Sequence, residues 1–389
     1  MSLLRSAGYR FFTRTIVGAL GFALMGCAPH APMGAPAPDY EIWAMDQGTH
    51  TVHIFNAALE QVGTIDLGVQ GARVPHMLEF TSDYRYAFVA SPASGNVTVI
   101  RADDRRVVTQ IATGPRTHHA AVAPGDRTVL VSVIGAPNVP WDGKLVELNV
   151  DLVNERFTVG RQLVLADDPL FASRRAGIKD TGGAVCLGFT ADGRYGYVTL
   201  GPGLDEGGVV VLDTRDFRLV EVYPPQEVDA NCGTVRSHNG EHMYLVGGDR
   251  GIGVWHAADT RTHRSVRRSE SRGHDAHGSA VTPDGREYWI LNRVTSNAVV
   301  IDPRTLGVIA EIPFVGKTPD IVAMSPDSRY AFITLRGPKP VTMPHLAVGE
   351  TPGIAVFDVR TRTAVKLLEP AKGNEQSDFH GVAVRLLRR

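Results

Sequence analysis

Short apolar runs separated by tight polar turns make up most of the chain. One stretch shows the unit clearly: a run at 277–281, the turn Pro283-Asp284-Gly285, and further apolar runs at 288–290, 299–301 and 306–312. Proline presets the first dihedral angle of a turn and glycine supplies a positive φ, so this tripeptide indicates a turn. The apolar runs are too short for helices and are rich in branched and aromatic residues. The stretch therefore predicts a unit of four strands.

Copies of this unit recur along almost the whole chain. The six turn segments lie at residues 81–85, 123–127, 190–194, 237–240, 282–286 and 325–329. The fourth copy is degraded and keeps only Ser237, Asn239 and Gly240 of the pattern. Spacings of roughly 40 to 60 residues are typical of propeller blades. An abundance of glycine, 41 residues, also suits a turn-rich all-β protein.

The two ends of the repeat region complement each other. Residues 40–66 contain the later strands of a unit without a first strand, and residues 379–384 form a first strand with nothing after it. A blade built from both would close a ring and remove the exposed sheet edges. A solenoid would need capping repeats instead of matching half-units. The sequence therefore predicts an all-β, seven-bladed β-propeller over residues 40–389, with the last blade closed by the N- and C-terminal strands.

The repeat also resembles a known family. The pattern Pro-x-x-x-x-x-x-Pro-Asp-Gly-Arg, followed by Tyr-Val and then Val-x-Val-Ile-Asp, is similar to that of the YVTN-type seven-bladed propellers. These are related to the propeller domains of nitrous oxide reductase and of the haem-binding cytochrome-type nitrite reductase. The resemblance covers about residue 40 to the C-terminus. Because the family includes scaffolds, binding proteins and a few redox proteins, it implies the fold and leaves the function open.

The N-terminal segment resembles a bacterial lipoprotein signal. Arg5, Arg10 and Arg14 precede a short apolar stretch at 16–25, and Gly26-Cys27 closes it. We expect a signal peptide at 1–26, lipidation of Cys27 and an Ala/Pro-rich tether at 27–39. The alternative is an ordinary cleaved signal, in which Cys27 is incidental. The apolar stretch is too short to span a bilayer comfortably.

Localisation and partners follow from the same segment and from the charge. Alanine rather than aspartate after the cysteine resembles outer-membrane sorting, so we expect a monomer on the periplasmic side, held to the membrane through its lipid alone. The net charge is −1, which gives no electrostatic footprint for nucleic acid.

Histidines recur at equivalent positions of the first strands. This column reads His76, His118, Val185, Asn231 or Cys232, His277, Asp320 and His380, and the following position adds His119 and Cys186. First strands line the channel of a propeller, so the column should form a ring at one depth. Imidazole suits copper, iron or zinc, and by resemblance the nitrous oxide reductase propeller holds its copper cluster with channel-mouth histidines. The predicted metal ligands are His76, His118, His277 and His380, and the wider set of channel-mouth candidates adds His119, His274 and Asp320.

A structural role for these histidines is the alternative. In this family such residues are often bonded to neighbouring backbone, Val185 interrupts the ring, and opposite members of a wide ring are too far apart to share one ion. Cys186 and Cys232 lie at near-equivalent positions of adjacent blades, where they can form a disulfide or act as ligands. With three cysteines, one of them assigned to the lipid, neither a c-type haem nor a thiolate zinc cage can form.

Three functions remain open. The leading hypothesis is a non-enzymatic propeller that binds a periplasmic protein or a small ligand over the channel mouth, where the insertions at 161–183 and 337–353 would contribute. The alternative is a metal- or tetrapyrrole-binding protein, with copper or a haem-type group, linked to respiratory or copper metabolism. A lactonase-type hydrolase ranks third because no acid–base set identifies it. Nucleophile-elbow, phosphate-loop and His-Glu-x-x-His motifs are absent from the sequence.

Overall fold

The computed structural model describes residues 38–203, 207–248 and 251–387. These residues form seven four-stranded antiparallel sheets in a ring, which confirms the predicted seven-bladed propeller. The predicted signal peptide, Cys27 and nearly all of the predicted tether lie outside the described residues. Within the described ranges, no helix is long and apolar enough to cross a membrane.

One blade, the closure blade, combines the two ends of the described chain. It contains β1 (Tyr40–Asp46), β2 (Thr51–Asn56), β3 (Gln61–Asp66) and β28 (Phe379–Leu386), in the order β28-β1-β2-β3.

The other blades, numbered 2 to 7, are each built from consecutive strands. Blade 2 contains β4 (Met77–Phe80), β5 (Tyr86–Ser91), β6 (Asn96–Arg101) and β7 (Arg106–Ala112). Blade 3 contains β8 (Thr117–Val122), β9 (Thr128–Val133), β10 (Lys144–Asp151) and β11 (Arg156–Val164). Blade 4 contains β12 (Gly183–Phe189), β13 (Tyr195–Gly201), β14 (Val209–Asp213) and β15 (Arg218–Tyr223). Blades 5 to 7 contain β16 (Ala230–Arg236), β17 (His242–Gly248), β18 (Gly253–Asp259) and β19 (Ser265–Glu270); β20 (Ala276–Val281), β21 (Tyr288–Asn292), β22 (Asn297–Asp302) and β23 (Gly307–Ile312); and β24 (Pro319–Met324), β25 (Tyr330–Leu335), β26 (Gly353–Asp358) and β27 (Thr363–Leu368).

The hydrophobic core lies between neighbouring blades. The middle strands are buried on both faces, as β21 shows, whereas the outermost strand β27 is exposed along most of its length. Trp289 of blade 6, for example, packs in one cluster with Val322 and Phe357 of blade 7. Burying an apolar side chain of this size contributes about 1.5–3 kcal/mol, so the blades stabilise one another around the ring.

The closure predicted from the half-units is present. β1 pairs antiparallel with β28, with Trp43 opposite Ala383. The backbone N–H of Gln47 donates to the Asp378 carbonyl at 2.9 Å, and the Ser377 hydroxyl donates to the Asp46 carboxylate at 2.6 Å. The inner edge of β1 is therefore fully paired.

The repeated turn between the first and second strands has the same hydrogen bond in five of the blades. A Thr or Ser hydroxyl donates to the Asp or Asn side chain two residues later, and we call these the signature turns. The distances are 2.7 Å for Thr81 to Asp83, 2.7 Å for Thr190 to Asp192, 2.8 Å for Ser237 to Asn239, 2.7 Å for Thr282 to Asp284 and 2.6 Å for Ser325 to Asp327. The degraded fourth copy thus keeps the same bond.

The insertion at 161–183 is partly ordered by a short helix. It contains α1 (Pro169–Arg174), whose first turn is capped by Asp168, which accepts from the Leu170 and Phe171 N–H groups. The Phe171 ring is buried and lies edge-on to Trp141, with 5.9 Å between ring centroids. This insertion packs onto the ring.

Candidate functional site

A cavity of about 160 Å³ lies at the end of the channel where the first strands begin. Its wall contains the side chains of His76, His118, His277 and His380, together with Cys232 and Met343. The four histidines are almost completely buried. The structure thus brings together the four residues that the sequence predicts as metal ligands.

Irregular first strands explain how these side chains reach one cavity. In six of the seven blades the pairing register shifts at the column, for example between Ala276 and Ser279. Such bulges re-aim a side chain that regular pairing would send to a sheet face. Gly278 and Gly381 follow two of the histidines, and a Cβ at either would overlap the backbone of the adjacent first strand. Glycine there lets the strands approach closely.

The His76 tautomer is fixed by its neighbours. The Gln47 amide nitrogen lies 2.9 Å from an Asp378 carboxylate oxygen, which can only accept, so the Gln47 oxygen must point the other way. That oxygen lies 3.0 Å from His76 Nδ1, which must therefore carry the proton and donate. His76 Nε2 is left with a lone pair facing the cavity.

His380 and His277 are oriented in the same way. His380 Nδ1 donates to the His76 carbonyl oxygen at 3.0 Å, so its Nε2 also carries a lone pair. That atom lies 3.6 Å from an Asp320 carboxylate oxygen, another acceptor. His277 Nδ1 lies 2.7 Å from the second Asp320 carboxylate oxygen, as an ion pair, and donates to the Asp320 carbonyl oxygen at 3.3 Å. Side-chain donor atoms of His277, Asp320 and His380 all lie within 4.8 Å of one another.

His118 completes the group but is poorly satisfied by protein atoms. Its Nε2 lies 3.0 Å from Nε2 of His76, and because the His76 atom has a lone pair, His118 would have to donate from Nε2. Nδ1 of His118 would then be an acceptor, yet it has no hydrogen-bond partner among the described residues. The nearby Val185 carbonyl is itself an acceptor. A buried polar atom without a partner costs about 1–3 kcal/mol.

A network of buried charged residues lies next to the cavity histidines and contacts them through Asp320. Arg336 donates to Asp320 at 2.8 Å and to both oxygens of Asp378 at 2.7 and 2.8 Å. Arg293 is paired in the same way with Asp275, at 2.6 and 3.0 Å, and lies 3.5 Å from Asp320. With His277 protonated, three carboxylates face three cations, and the network is electrically balanced.

The electrostatics separate His277 from the other three histidines. Burial and the charges of His380 and His118 hold the pKa of His76 well below its usual range, and burial likewise lowers the pKa of His118 to about 3 and that of His380 strongly. Burial and Arg293 also act to lower the pKa of His277, but Cys232 and the Asp320 carboxylate outweigh them and raise it to about 10. At neutral pH three imidazoles are neutral and offer lone pairs.

Two of the predicted channel-mouth candidates lie elsewhere. His119 follows His118 on β8 and points away from the cavity, because successive side chains of a strand face opposite ways. Its Nε2 lies 2.9 Å from Glu79, and its Nδ1 accepts from the Leu187 N–H. His274 is exposed to solvent before β20. Asp320 does lie beside the site, where it holds His277 and Arg336.

The two cysteines meet between blades 4 and 5. The Sγ atoms of Cys186 and Cys232 are 3.7 Å apart, and both residues are free thiols. Cys232 also lies on the cavity wall together with His277. Of the two arrangements that the sequence left open, the disulfide is not formed in this structure.

The insertion at 337–353 covers one side of the cavity. Thr342 and Met343 line the wall, and the segment is tied down where Arg336 donates to the Thr342 carbonyl and the Val341 N–H donates to Asp378, both at 2.8 Å. The loop is therefore anchored to the network that holds Asp320.

The supporting residues Gln47, Asp275, Arg293, Arg336 and Asp378 were not predicted from the sequence. A signal for them exists, because Asp-x-His-Gly occurs twice, at 275–278 and 378–381. In addition, Arg293 and Arg336 follow the second strands of adjacent copies, directly after β21 and β25. Aligning these paired features would have placed an Asp–Arg pair behind each of two histidines.

Comparisons with known proteins show the fold. No protein-family model matches the chain, and no curated protein matches its sequence. Among solved structures, it is similar to Kuenenia stuttgartiensis hydrazine synthase, with a TM-score of 0.61 and 13% identity over 89% of this chain and 99% of that one. It is also similar to the dihydro-heme d1 dehydrogenase NirN in complex with DHE, with a TM-score of 0.54 and 17% identity over 88% of this chain and 74% of that one. At these identities the likeness is one of fold: the chain is a seven-bladed β-propeller.

Proposed function

We propose that this propeller, of the YVTN type, binds a transition-metal ion at the channel mouth, with His76 and His118 as the central ligands and His380 beside them, whereas His277 completes the set only after losing a proton. The contact between Nε2 of His76 and Nε2 of His118, at 3.0 Å, carries the proposal. Metal–nitrogen bonds of 2.0–2.1 Å place two adjacent ligands about 2.9–3.3 Å apart at tetrahedral or square angles. The two nitrogens have the separation that one ion requires.

Proton placement supports the same conclusion. With an ion on Nε2, the His118 proton would lie on Nδ1, and the His118 ring could still donate to the nearby Val185 backbone. An ion there would also bind the lone pair of His76 Nε2, which otherwise faces His118, and that of His380 Nε2, which otherwise faces Asp320. Fixing the far nitrogen of each histidine with an acceptor is how proteins orient metal-binding imidazoles, and Gln47, Asp320 and the His76 carbonyl have that role here.

Metal binding by the purified protein tests the proposal. After treatment with a chelator, the protein is titrated with Zn(II), Ni(II) and Cu(II), and the content of the untreated protein is measured by mass spectrometry of the elements. We expect one ion per chain and a loss of affinity of more than about 100-fold in the His76→Ala/His118→Ala double variant, because removing a ligand costs more than the 10–100-fold typical of its supporting residues.

Two histidines provide matched controls. His274→Gln changes an exposed side chain beside the same strand, and His119→Gln changes the residue next to His118 that faces away. Both should bind the ion as the unmodified protein does. Equal binding by the unmodified protein and the double variant, with circular dichroism showing both folded, would contradict the proposal.

The cavity volume bears on the haem-type alternative. A cavity of about 160 Å³ is close to the size that encloses one benzene molecule, whereas pockets that enclose drug-sized ligands measure roughly 300–1,000 Å³. A tetrapyrrole of the kind named with NirN would therefore have to lie across the mouth, against the 337–353 segment. An absorption titration with haem, compared between the unmodified protein and Met343→Ala, tests this second candidate.

We also propose the cellular setting indicated by the leader, a monomer tethered to the periplasmic face of the outer membrane through a lipid on Cys27. In that setting the channel mouth can meet a periplasmic partner or a small ligand as well as an ion. Incorporation of labelled palmitate, abolished by Cys27→Ala, is the expected result.

A further inference from the structure

The facing pair Cys186 and Cys232 is not used by the proposed metal site. The residues are 46 positions apart in sequence and belong to β12 and β16, the first strands of adjacent blades. Both lie where the register of the first strand shifts, between Ala184 and Leu187 in one blade and between Ala230 and Thr234 in the other. The column geometry thus brings two thiols from different blades into van der Waals contact.

The two thiols differ in access. Both are buried, in a cluster with Tyr244 and Ala276. Cys232 also forms part of the cavity wall, so a small reagent that enters the mouth can reach its sulfur. Cys186 lies beyond it, away from the wall. A reagent would therefore meet Cys232 first and Cys186 second.

We propose that Cys186 and Cys232 form a reversible disulfide that joins blades 4 and 5 and withdraws the Cys232 sulfur from His277. The sulfurs must move from 3.7 Å to about 2.05 Å apart. Residues at a bulge have fewer ladder hydrogen bonds to break than residues in regular pairing, so this small shift is accessible at both positions.

The oxidant is a small organic disulfide. Cys232 attacks one of its sulfurs, which stays bonded to Cys232 as a mixed disulfide, and the other half leaves as a small thiol. Cys186 then attacks the Cys232 sulfur and releases the second small thiol. The protein loses two S–H hydrogens and gains one S–S bond, and the small disulfide is reduced to two thiols.

Peptide mapping of the full chain tests the proposal. The folded protein is incubated with 2-hydroxyethyl disulfide, its remaining thiols are alkylated, and it is digested with trypsin. We expect peptide 180–194 linked to peptide 219–236, which contain Cys186 and Cys232 respectively, and separation of the two by dithiothreitol. Because Cys27 lies in a different peptide, it does not interfere.

Two variants sharpen the result. Cys186→Ser should stop at a mixed disulfide on Cys232, whereas Cys232→Ser should leave Cys186 unmodified in the folded protein. Oxidation should raise the melting temperature of the unmodified protein by about 5 °C or more, because the link restricts the unfolded chain, and should leave both variants unchanged.

Three results would overturn the proposal. One is alkylation of both cysteines with no linked peptide, and another is a link that appears only after unfolding. The third is protection of the thiols until a chelator is added, which would make them metal ligands. The first two outcomes do not bear on the His76–His118 site, which the double variant tests separately, whereas the third would add Cys232 to the ligands of that cavity.

Discussion

The two ends of the propeller channel use the repeat in opposite ways. At the end with the signature turns, five blades make the same hydroxyl-to-Asp or hydroxyl-to-Asn bond at 2.6–2.8 Å. At the mouth, equivalent positions hold histidine, valine, asparagine or cysteine, and aspartate. Each signature bond lies within its own blade, although Ser82 and Asp284 also donate to the corresponding turn of the next blade. The mouth residues satisfy one another across blades, from His76 to His380 and from His277 to Asp320.

This difference indicates where the chain is specialised. A repeated residue that bonds within its own blade stabilises the fold at each of five blades and says little about function. A position that departs from the repeat and contacts other blades belongs to the group of residues that the ring brings together at its centre. Mutations should therefore act locally at the turns and across several blades at the mouth.

The largest effect is expected from Asp320→Asn. The change leaves the buried Arg336 and protonated His277 without their shared carboxylate, and breaking a buried ion pair costs about 3–5 kcal/mol. The free energy of unfolding, from denaturant titration, should fall by that amount. A fall below about 1 kcal/mol would mean that the mouth residues do not depend on one another.

A smaller, pH-dependent effect should distinguish the carboxylates of the two ends. His256 and Arg268, each 2.7 Å from Asp229 near the mouth, outweigh its burial and lower its pKa strongly, whereas the Thr190 hydroxyl lowers the pKa of Asp192 in a signature turn by less. Each lowered pKa contributes stability that is present above about pH 4 and is lost as the pH falls through the folded-state value.

Acid unfolding of two variants measures this contribution. Between about pH 5 and pH 2 the stability of Asp229→Asn should fall less steeply than that of the unmodified protein, because the variant no longer takes up that proton on unfolding. Asp192→Asn should follow the unmodified protein closely. If Asp192→Asn showed the less steep fall and Asp229→Asn followed the unmodified protein, the stronger electrostatic stabilisation would lie at the turns.

The smallest effect is expected from Thr282→Val in the signature turn of blade 6. The Thr282 hydroxyl donates to Asp284 and accepts from the Glu287 N–H at 3.0 Å. Losing these bonds should cost about 1 kcal/mol of unfolding free energy: Thr282 itself is buried, but Asp284 is exposed and Glu287 half-buried, so water can replace part of what they lose. Metal binding should not change, and a measurable loss of affinity would show that the two ends are coupled.

The sequence predicts the architecture well because each repeat is recognisable from short local patterns of residues. Apolar runs, turn residues and the two half-units at residues 40–66 and 379–384 were enough to predict seven blades and their closure. The column also led to the four cavity histidines, since equivalent positions of a ring lie at equal depth. These predictions need only periodicity.

Other features of the mouth depend on contacts that periodicity does not describe. Whether His118 or His119 faces the cavity depends on a register shift within β8, and a shift of one residue exchanges the two sides of a strand. The orientation of His76 depends on Gln47, whose amide is in turn fixed by Asp378 from the other end of the chain. Gln47 belongs to no repeated pattern, so alignment of the copies does not reveal its role, whereas Asp378 is part of the Asp-x-His-Gly pattern that also occurs at 275–278.

The pairing of β1 with β28 also constrains how the molecule is made. More than 330 residues separate Asp46 from its partner Asp378. While the chain emerges from the ribosome or from a translocation pore, the inner edge of β1 has no partner until β28 follows. Blades 2 to 7 can assemble in the order of synthesis, whereas the ring and its histidine cavity are completed last. A chaperone that covers an unpaired strand would have to cover β1 until β28 has been synthesised.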